Sequence, residues 1–134
     1  METERRVRAQ AAEWTAQNGN FSDARNQVID LIAEDWNCAE GHRAWGRVLQ
    51  LERKYSDAVA SFRTAATLRP EDPELLFEYA AAMVDAAQAA QLLQLTDWSD
   101  ARDAVMRGLE LAPATMVGVK LLRFIDEQSN LVLD

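Results

Sequence analysis

The chain has 134 residues, 49% hydrophobic and 27% charged, with only 5 Gly and 3 Pro; this is the composition of a helix-rich globular protein, long enough to bury a core without disulfides or metal. Its net charge of -8 is uneven, with 9 basic and 10 acidic side chains in residues 1–66 against 5 and 12 in residues 67–134. A field of that sign repels phosphate backbones and argues against nucleic acid as partner. The lone Cys38 excludes a disulfide framework and metal-ligand spacing.

No window approaches the ~18 consecutive apolar residues of a spanning helix, and the N-terminal METERRVRAQAAEW lacks the apolar core of a secretory signal. The default expectation is therefore a cytoplasmic protein without membrane insertion, unless the chain is a domain excised from an exported or anchored protein.

In chain order, Thr3 is placed to cap a first helix that runs to about Gln17 and ends at Asn18-Gly19-Asn20. Ser22 would cap a second helix with Ala24, Val28, Leu31 and Ile32 at helical spacing. Asp35-Trp36-Asn37 breaks that pattern, and a third helix is predicted from about Cys38 to Glu52, with His42, Trp45, Gly46 and Leu49 on one face. After the turn Arg53-Lys54-Tyr55, Ser56 would cap a fourth helix with Ala58, Phe62, Ala65 and Ala66 inward; Pro70 closes it, and Pro73 stiffens the joint. From Glu74 a stretch of about 22 residues holds no Gly or Pro. Thr96 or Ser99 would cap the next helix, with Ala101, Val105 and Leu109 inward and Pro113 at its end. A last helix from about Ala114 to Glu127 precedes the apolar tail Leu131-Val132-Leu133.

Three of these helices carry the same landmarks. Ala24, Ala58 and Ala101 each precede a bulkier apolar residue by four (Val28, Phe62, Val105), and a helix-ending residue follows eight further on (Trp36, Pro70, Pro113). The first two sets are 34 residues apart and the third lies 43 on, so it contains nine extra residues. They fall between Val84 and Thr96, where AAQAAQLLQL is rich in helix formers. The expectation is that the preceding helix continues about two turns past its usual end, with Leu92, Leu93 and Leu95 packed on the last helix.

This pattern resembles the tetratricopeptide repeat, W-x2-L-G-x2-Y…A-x3-F…P with a period of 34. The middle copy matches best: Trp45-Gly46 stands for Leu-Gly, Leu49 for the following Tyr, Tyr55 for the aromatic at the turn, and Ala58, Phe62 and Pro70 match outright, while His42 replaces the Trp. Gly19, Phe21 and Ala24 match in the first copy; Leu76, Tyr79, Ala80, Trp98, Ala101, Gly108, Leu109 and Pro113 fit the third. The resemblance implies an all-α fold, a right-handed α-solenoid of three helix-turn-helix repeats (about 5–38, 39–72, and 73–114 with the nine-residue insertion) and a capping helix at about 115–128, in one domain over residues 1–134. It also implies a non-enzymatic module that binds a protein or peptide in a concave groove, as adaptor or scaffold. The rival readings are a small acidic secretion-type chaperone for an apolar client segment, similar to those of type III systems, and the soluble domain of a cell-envelope assembly factor.

Catalytic chemistry has little to rest on. His42 sits where the repeat packs an aromatic, and Cys38, one turn before it, lacks a third group and oxyanion donors. The acids Asp97, Asp100, Asp103 and Glu110, and Glu71, Asp72 and Glu74, lack the loop glycine of a calcium site and read as solvated surface. No cofactor and no metal are expected.

The groove of such repeats is lined by the first helix of each hairpin. The corresponding stripes are Arg6, Ala9, Glu13 and Gln17; Glu40, Arg43, Arg47 and Gln50; and Glu74, Phe77, Ala81 and Val84. Arg43 and Arg47 would offer two guanidinium forks to an acidic segment, beside an apolar shelf of Phe77, Ala81 and Val84. Pairing of both arginines with Glu40 and nearby acids is the competing reading. The carboxylate clamp of chaperone-binding relatives (Lys, Asn, Asn, Lys, Arg) is replaced here by Ala9, Glu13, Ala44, Glu74 and Glu78. Self-association through Leu131, Val132 and Leu133 is a further expectation.

Overall fold

The computed structural model describes residues 2–133, with side chains for 3–129. The described residues form helices α1 (Glu2–Gln17), α2 (Phe21–Glu34), α3 (Ala39–Leu51), α4 (Tyr55–Leu68), α5 (Pro73–Ala89), α6 (Ser99–Leu111) and α7 (Met116–Leu133), with no strand. They fall into two compact units, Met1–Arg69 and Pro70–Asp134.

Each of α1, α3 and α5 ends in the same left-handed turn. Gly19, Arg53 and Gln91 have φ of 85°, 64° and 59°. The next amide reaches back five residues: Asn20 N to Thr15 O at 3.2 Å, Lys54 N to Leu49 O at 2.8 Å and Leu92 N to Ala87 O at 2.8 Å. These are Schellman closures, which satisfy the last helical carbonyls. In the first two cases the chain passes at once into the next helix, so α2 and α4 start at Phe21 and Tyr55, one residue before the predicted caps Ser22 and Ser56. Asn20 takes the capping role in α2 by accepting from the Asp23 amide at 3.3 Å. Thr3 lies inside α1, and Trp98 stands at the N-cap of α6, one residue before Ser99.

The nine-residue insertion divides between helix and loop, which corrects the two-turn extension. α5 has 17 residues against 13 in α3, about one extra turn, and stops at Ala89. The Schellman closure at Gln91 ends it despite the helix formers beyond. The following loop is tied down locally: the Trp98 indole Nε1–H donates to Leu93 O at 3.1 Å, and the Thr96 hydroxyl to Leu92 O at 2.6 Å. Leu92 and Leu95 are exposed, 47% and 82%, rather than packed on the last helix.

In the first unit small residues of α1 (Ala9, Ala12, Ala16) let it approach Val28 and Leu31 of α2 and Ala44 and Val48 of α3. α3 meets α4 at Gly46, where an added methyl would lie 2.7 Å from Phe62 Cε2. In the second unit the wedge is reversed. Phe77 of α5 is buried against Gly108 of α6 and Gly118 of α7; a methyl at Gly118 would come within 2.7 Å of its ring and one at Gly108 would overlap it. Trp98 packs edge-on against Phe124 with centroids 6.4 Å apart, and Ile125 is fully enclosed. Burial of each such side chain contributes about 1.5–3 kcal/mol.

Candidate peptide-binding face

In the first unit α1 and α3 lie side by side, and their predicted stripes meet. Arg47 of α3 places Nε 3.1 Å from Glu13 Oε1 of α1. Arg43, Arg47, Gln50, Glu40 and Glu13 are all half-buried, while Arg6 is exposed at the far end of α1. Glu40 pairs with Arg69 at the end of α4 at 2.8 Å, so the acid set against Arg47 is Glu13, in keeping with the reading that the arginines pair with nearby acids. Arg69 and Asp35 are the C-cap residues of α4 and α2, and each ties back to the start of the first helix of its own hairpin. The polarity is opposite in the two, since Asp35 accepts from Arg5 at 2.6 Å whereas Arg69 donates to Glu40. Arg8 adds a bridge to Glu34 beside the first.

Partly exposed pairs of this kind contribute little stability, about 0–1 kcal/mol each. Their effect is positional, because they fix long side chains along one face of α3. Ala9 and Ala44, at two of the clamp positions, are buried at 5% and 0%, and a third is Glu13, engaged by Arg47. The first unit thus carries no carboxylate clamp.

Phe77 is buried at 5% by Gly108 and Gly118, and is part of the core of its unit rather than an outward shelf. Ala81 and Val84 remain half-buried. One residue on, Asp85 is exposed as a whole, yet partial desolvation holds its carboxyl above the usual carboxylate value. In the loop before α6, Asp97 accepts from the Ser99 hydroxyl at 2.6 Å and its amide at 2.9 Å, which holds its carboxyl below that value.

His42 is structural. It is buried at 4%, its Nε2–H donates to the Trp36 carbonyl at 2.7 Å, and its ring meets the Trp36 indole edge-on at 4.7 Å. Cys38 is a buried free thiol at the N-cap of α3. Among the described residues no three His, Cys, Asp or Glu side chains converge, and no helix is long and apolar enough to cross a membrane. Leu131, Val132 and Leu133 lie outside the residues whose side chains are described.

Comparison with solved structures decides the fold. The first TPR of Spaghetti (RPAP3), solved with the HSP90 peptide SRMEEVD, has a TM-score of 0.72 at 17% identity over 95% of this chain and 94% of that one. The fold is that of a tetratricopeptide-repeat (TPR) domain. The type III secretion chaperone SycD of Yersinia enterocolitica, solved with a peptide of the translocator YopD, is similar at TM-score 0.68 and 16% identity, over 92% and 91% of the two chains. PilF of Pseudomonas aeruginosa gives 0.52 at 18% identity, over 98% and 77%. No family profile and no curated protein matches the sequence. In TPR terms, α1, α3 and α5 are the first helices of the three hairpins and α2, α4 and α6 the second.

Proposed function

We propose that this TPR protein is a non-enzymatic adaptor or scaffold that holds a peptide or protein segment against the first-helix face of α3, with Arg43 and Arg47 as the central contacts. The observation that carries the reading is the pre-positioned stripe Glu40, Arg43, Arg47, Gln50, in which Arg47 is braced by Glu13 and Glu40 by Arg69. Side chains already held in place lose less entropy on binding. TPR structures solved with bound peptides support it. Without a clamp, and with Glu13 on the face, the ligand is an internal acidic and apolar segment rather than a free C-terminal carboxylate. Its repeats are assigned at about 5–38, 39–72 and 73–114, with a cap at about 115–128, in one domain over 1–134. A cytoplasmic setting fits its one cysteine, a buried free thiol.

The test is selection of peptides from a display library on the wild-type protein, followed by fluorescence-polarisation titration. Arg43→Glu/Arg47→Glu is expected to weaken the selected peptides at least tenfold with helicity unchanged; equal affinity contradicts the assignment. A second reading, a secretion-type chaperone for an apolar client, is favoured by the likeness to SycD. It predicts purely apolar selected peptides whose binding is insensitive to salt, whereas the adaptor reading predicts acidic ones that weaken as salt screens the arginines.

A further inference from the structure

The Schellman closures of α1, α3 and α5 share a geometry and differ in chemistry. The residue pairs at their left-handed turns are Asn18-Gly19, Glu52-Arg53 and Ala90-Gln91. Only the first sets a side-chain amide directly before a glycine. The other four asparagines, Asn20, Asn26, Asn37 and Asn130, precede Phe, Gln, Cys and Leu. Glycine has no Cβ to crowd its own amide nitrogen, so that nitrogen can reach the Cγ of a preceding asparagine. Residues 17–20 are all exposed, which gives water access to the pair.

In the folded chain both reacting groups are held. Gly19 N–H donates to Ala16 O at 2.9 Å, and Asn18 Nδ2 donates to Trp14 O at 2.8 Å. The Asn18 amide shares that second acceptor at 3.2 Å, and the Asn20 amide reaches Thr15 O at 3.2 Å. Ring closure between the two residues waits on opening of this turn. What opens is an exposed helix end, where the free energy of local opening is lowest. Releasing two such hydrogen bonds slows a reaction by about tenfold to a hundredfold.

We propose that Asn18 is a site of spontaneous deamidation in the native protein, gated by opening of the last turn of α1. Gly19 N gives its proton to solvent base and attacks Asn18 Cγ; the Cγ–Nδ2 bond breaks and Nδ2 leaves as ammonia. The succinimide so formed takes up water at one of its two carbonyls. Addition at Cγ breaks the new bond and gives aspartate. Addition at the backbone carbonyl breaks the original peptide bond and leaves Gly19 joined through Cγ, an isoaspartate. The sum is amide plus water giving carboxylate plus ammonium, with nothing oxidised or reduced. Either product undoes the closure. Aspartate loses the donor to Trp14 O and sets a negative charge against the last carbonyls of α1, the unfavourable end of the helix dipole. Isoaspartate lengthens the backbone between residues 18 and 19, so the Gly19 and Asn20 amides lose their register with Ala16 O and Thr15 O.

The test is ageing of the full chain in neutral buffer, folded and in guanidinium chloride, with peptide mass spectrometry and enzymatic methylation of isoaspartate to read each asparagine. In the folded protein, product is expected at Asn18 ahead of the other four, forming about tenfold to a hundredfold more slowly than in the unfolded chain. Asn18→Gln should abolish it at that position. Asn18→Asp, which is the aspartate product itself, is expected to melt below the wild type at unchanged helicity. Equal rates in the folded and unfolded chains would mean that the turn does not gate the site. A folded chain still unmodified at Asn18 after about a hundred unfolded-chain half-lives would mean that the fold seals it. Melting of Asn18→Asp at the wild-type temperature would mean that the closure does not depend on the side-chain amide. Each of these three results overturns the proposal.

Discussion

The second and third hairpins solve the same packing problem with the roles exchanged. In α3–α4 the glycine is on the first helix and the ring on the second, Gly46 beneath Phe62; in α5–α6 the ring is on the first helix and the glycine on the second, Phe77 against Gly108. What recurs is the close approach of backbone to ring, and the residue types at each position follow from which side supplies the ring. The two hairpins also share their closing turn, at Arg53 and Gln91, although the third has a longer helix and a loop before its second helix. Turn geometry is thus retained where length is not.

The largest break in the comparison is expected from the rings. Phe62→Ala and Phe77→Ala should each cost about 3–5 kcal/mol in urea unfolding, because both are nearly fully buried (2% and 5% exposed). If Phe77→Ala costs under about 1 kcal/mol, its ring is not the core element described here. Next come the glycines. Gly46→Ala should destabilise by about 1–3 kcal/mol through overpacking, outweighing its gain in helix propensity. Gly108→Ala should do so at least as strongly, with part of the loss recovered in the double variant Phe77→Leu/Gly108→Ala, a coupling that a double-mutant cycle reads directly.

The shared turn predicts a smaller effect of opposite sign. Gln91→Gly and Arg53→Gly should each stabilise by about 0.5–1 kcal/mol, since glycine relieves the left-handed conformation at a C′ position at some expense in unfolded-chain entropy. Gly19→Ala, at φ 85°, should do the reverse, and thermal melts resolve both. The smallest effect concerns Asp97, whose folded carboxyl lies below its ordinary value because Ser99 donates to it twice. Its contribution is present above the ordinary carboxylate range and fades as pH falls through the depressed folded value. The protection of the loop amides at residues 92–98, relative to their intrinsic exchange rates, should therefore fall in acid, and Asp97→Asn should remove that dependence.

The fold was legible because the repeated Ala, Phe and Gly landmarks report inter-helix spacing directly. The turns at Gly19 and at Arg53-Lys54-Tyr55 were legible, but only Gly19 announces positive φ; Arg53 and Gln91 adopt it because the flanking helices require it. Propensity alone led past Ala89, since it carries no information on the indole of Trp98 that gathers the loop. Phe77 was misplaced for a related reason. It stands at the register of Arg43, which is half-exposed, and only the packing of α7, through Gly118, turns that position inward. A stripe read from one helix does not reveal which neighbour covers it. The bridges of Arg47 to Glu13, between the first helices of two hairpins, and of Arg69 to Glu40, within one hairpin, join residues far apart in sequence and left no local signal.

The central claim, that the α3 stripe receives a polypeptide, is tested most directly by titrating a selected peptide into isotopically labelled protein and following the spectrum residue by residue. The largest shifts are expected on Glu40, Arg43, Arg47, Gln50 and Glu13. Shifts confined to α2, α4 or α6, with α3 unmoved, would contradict it.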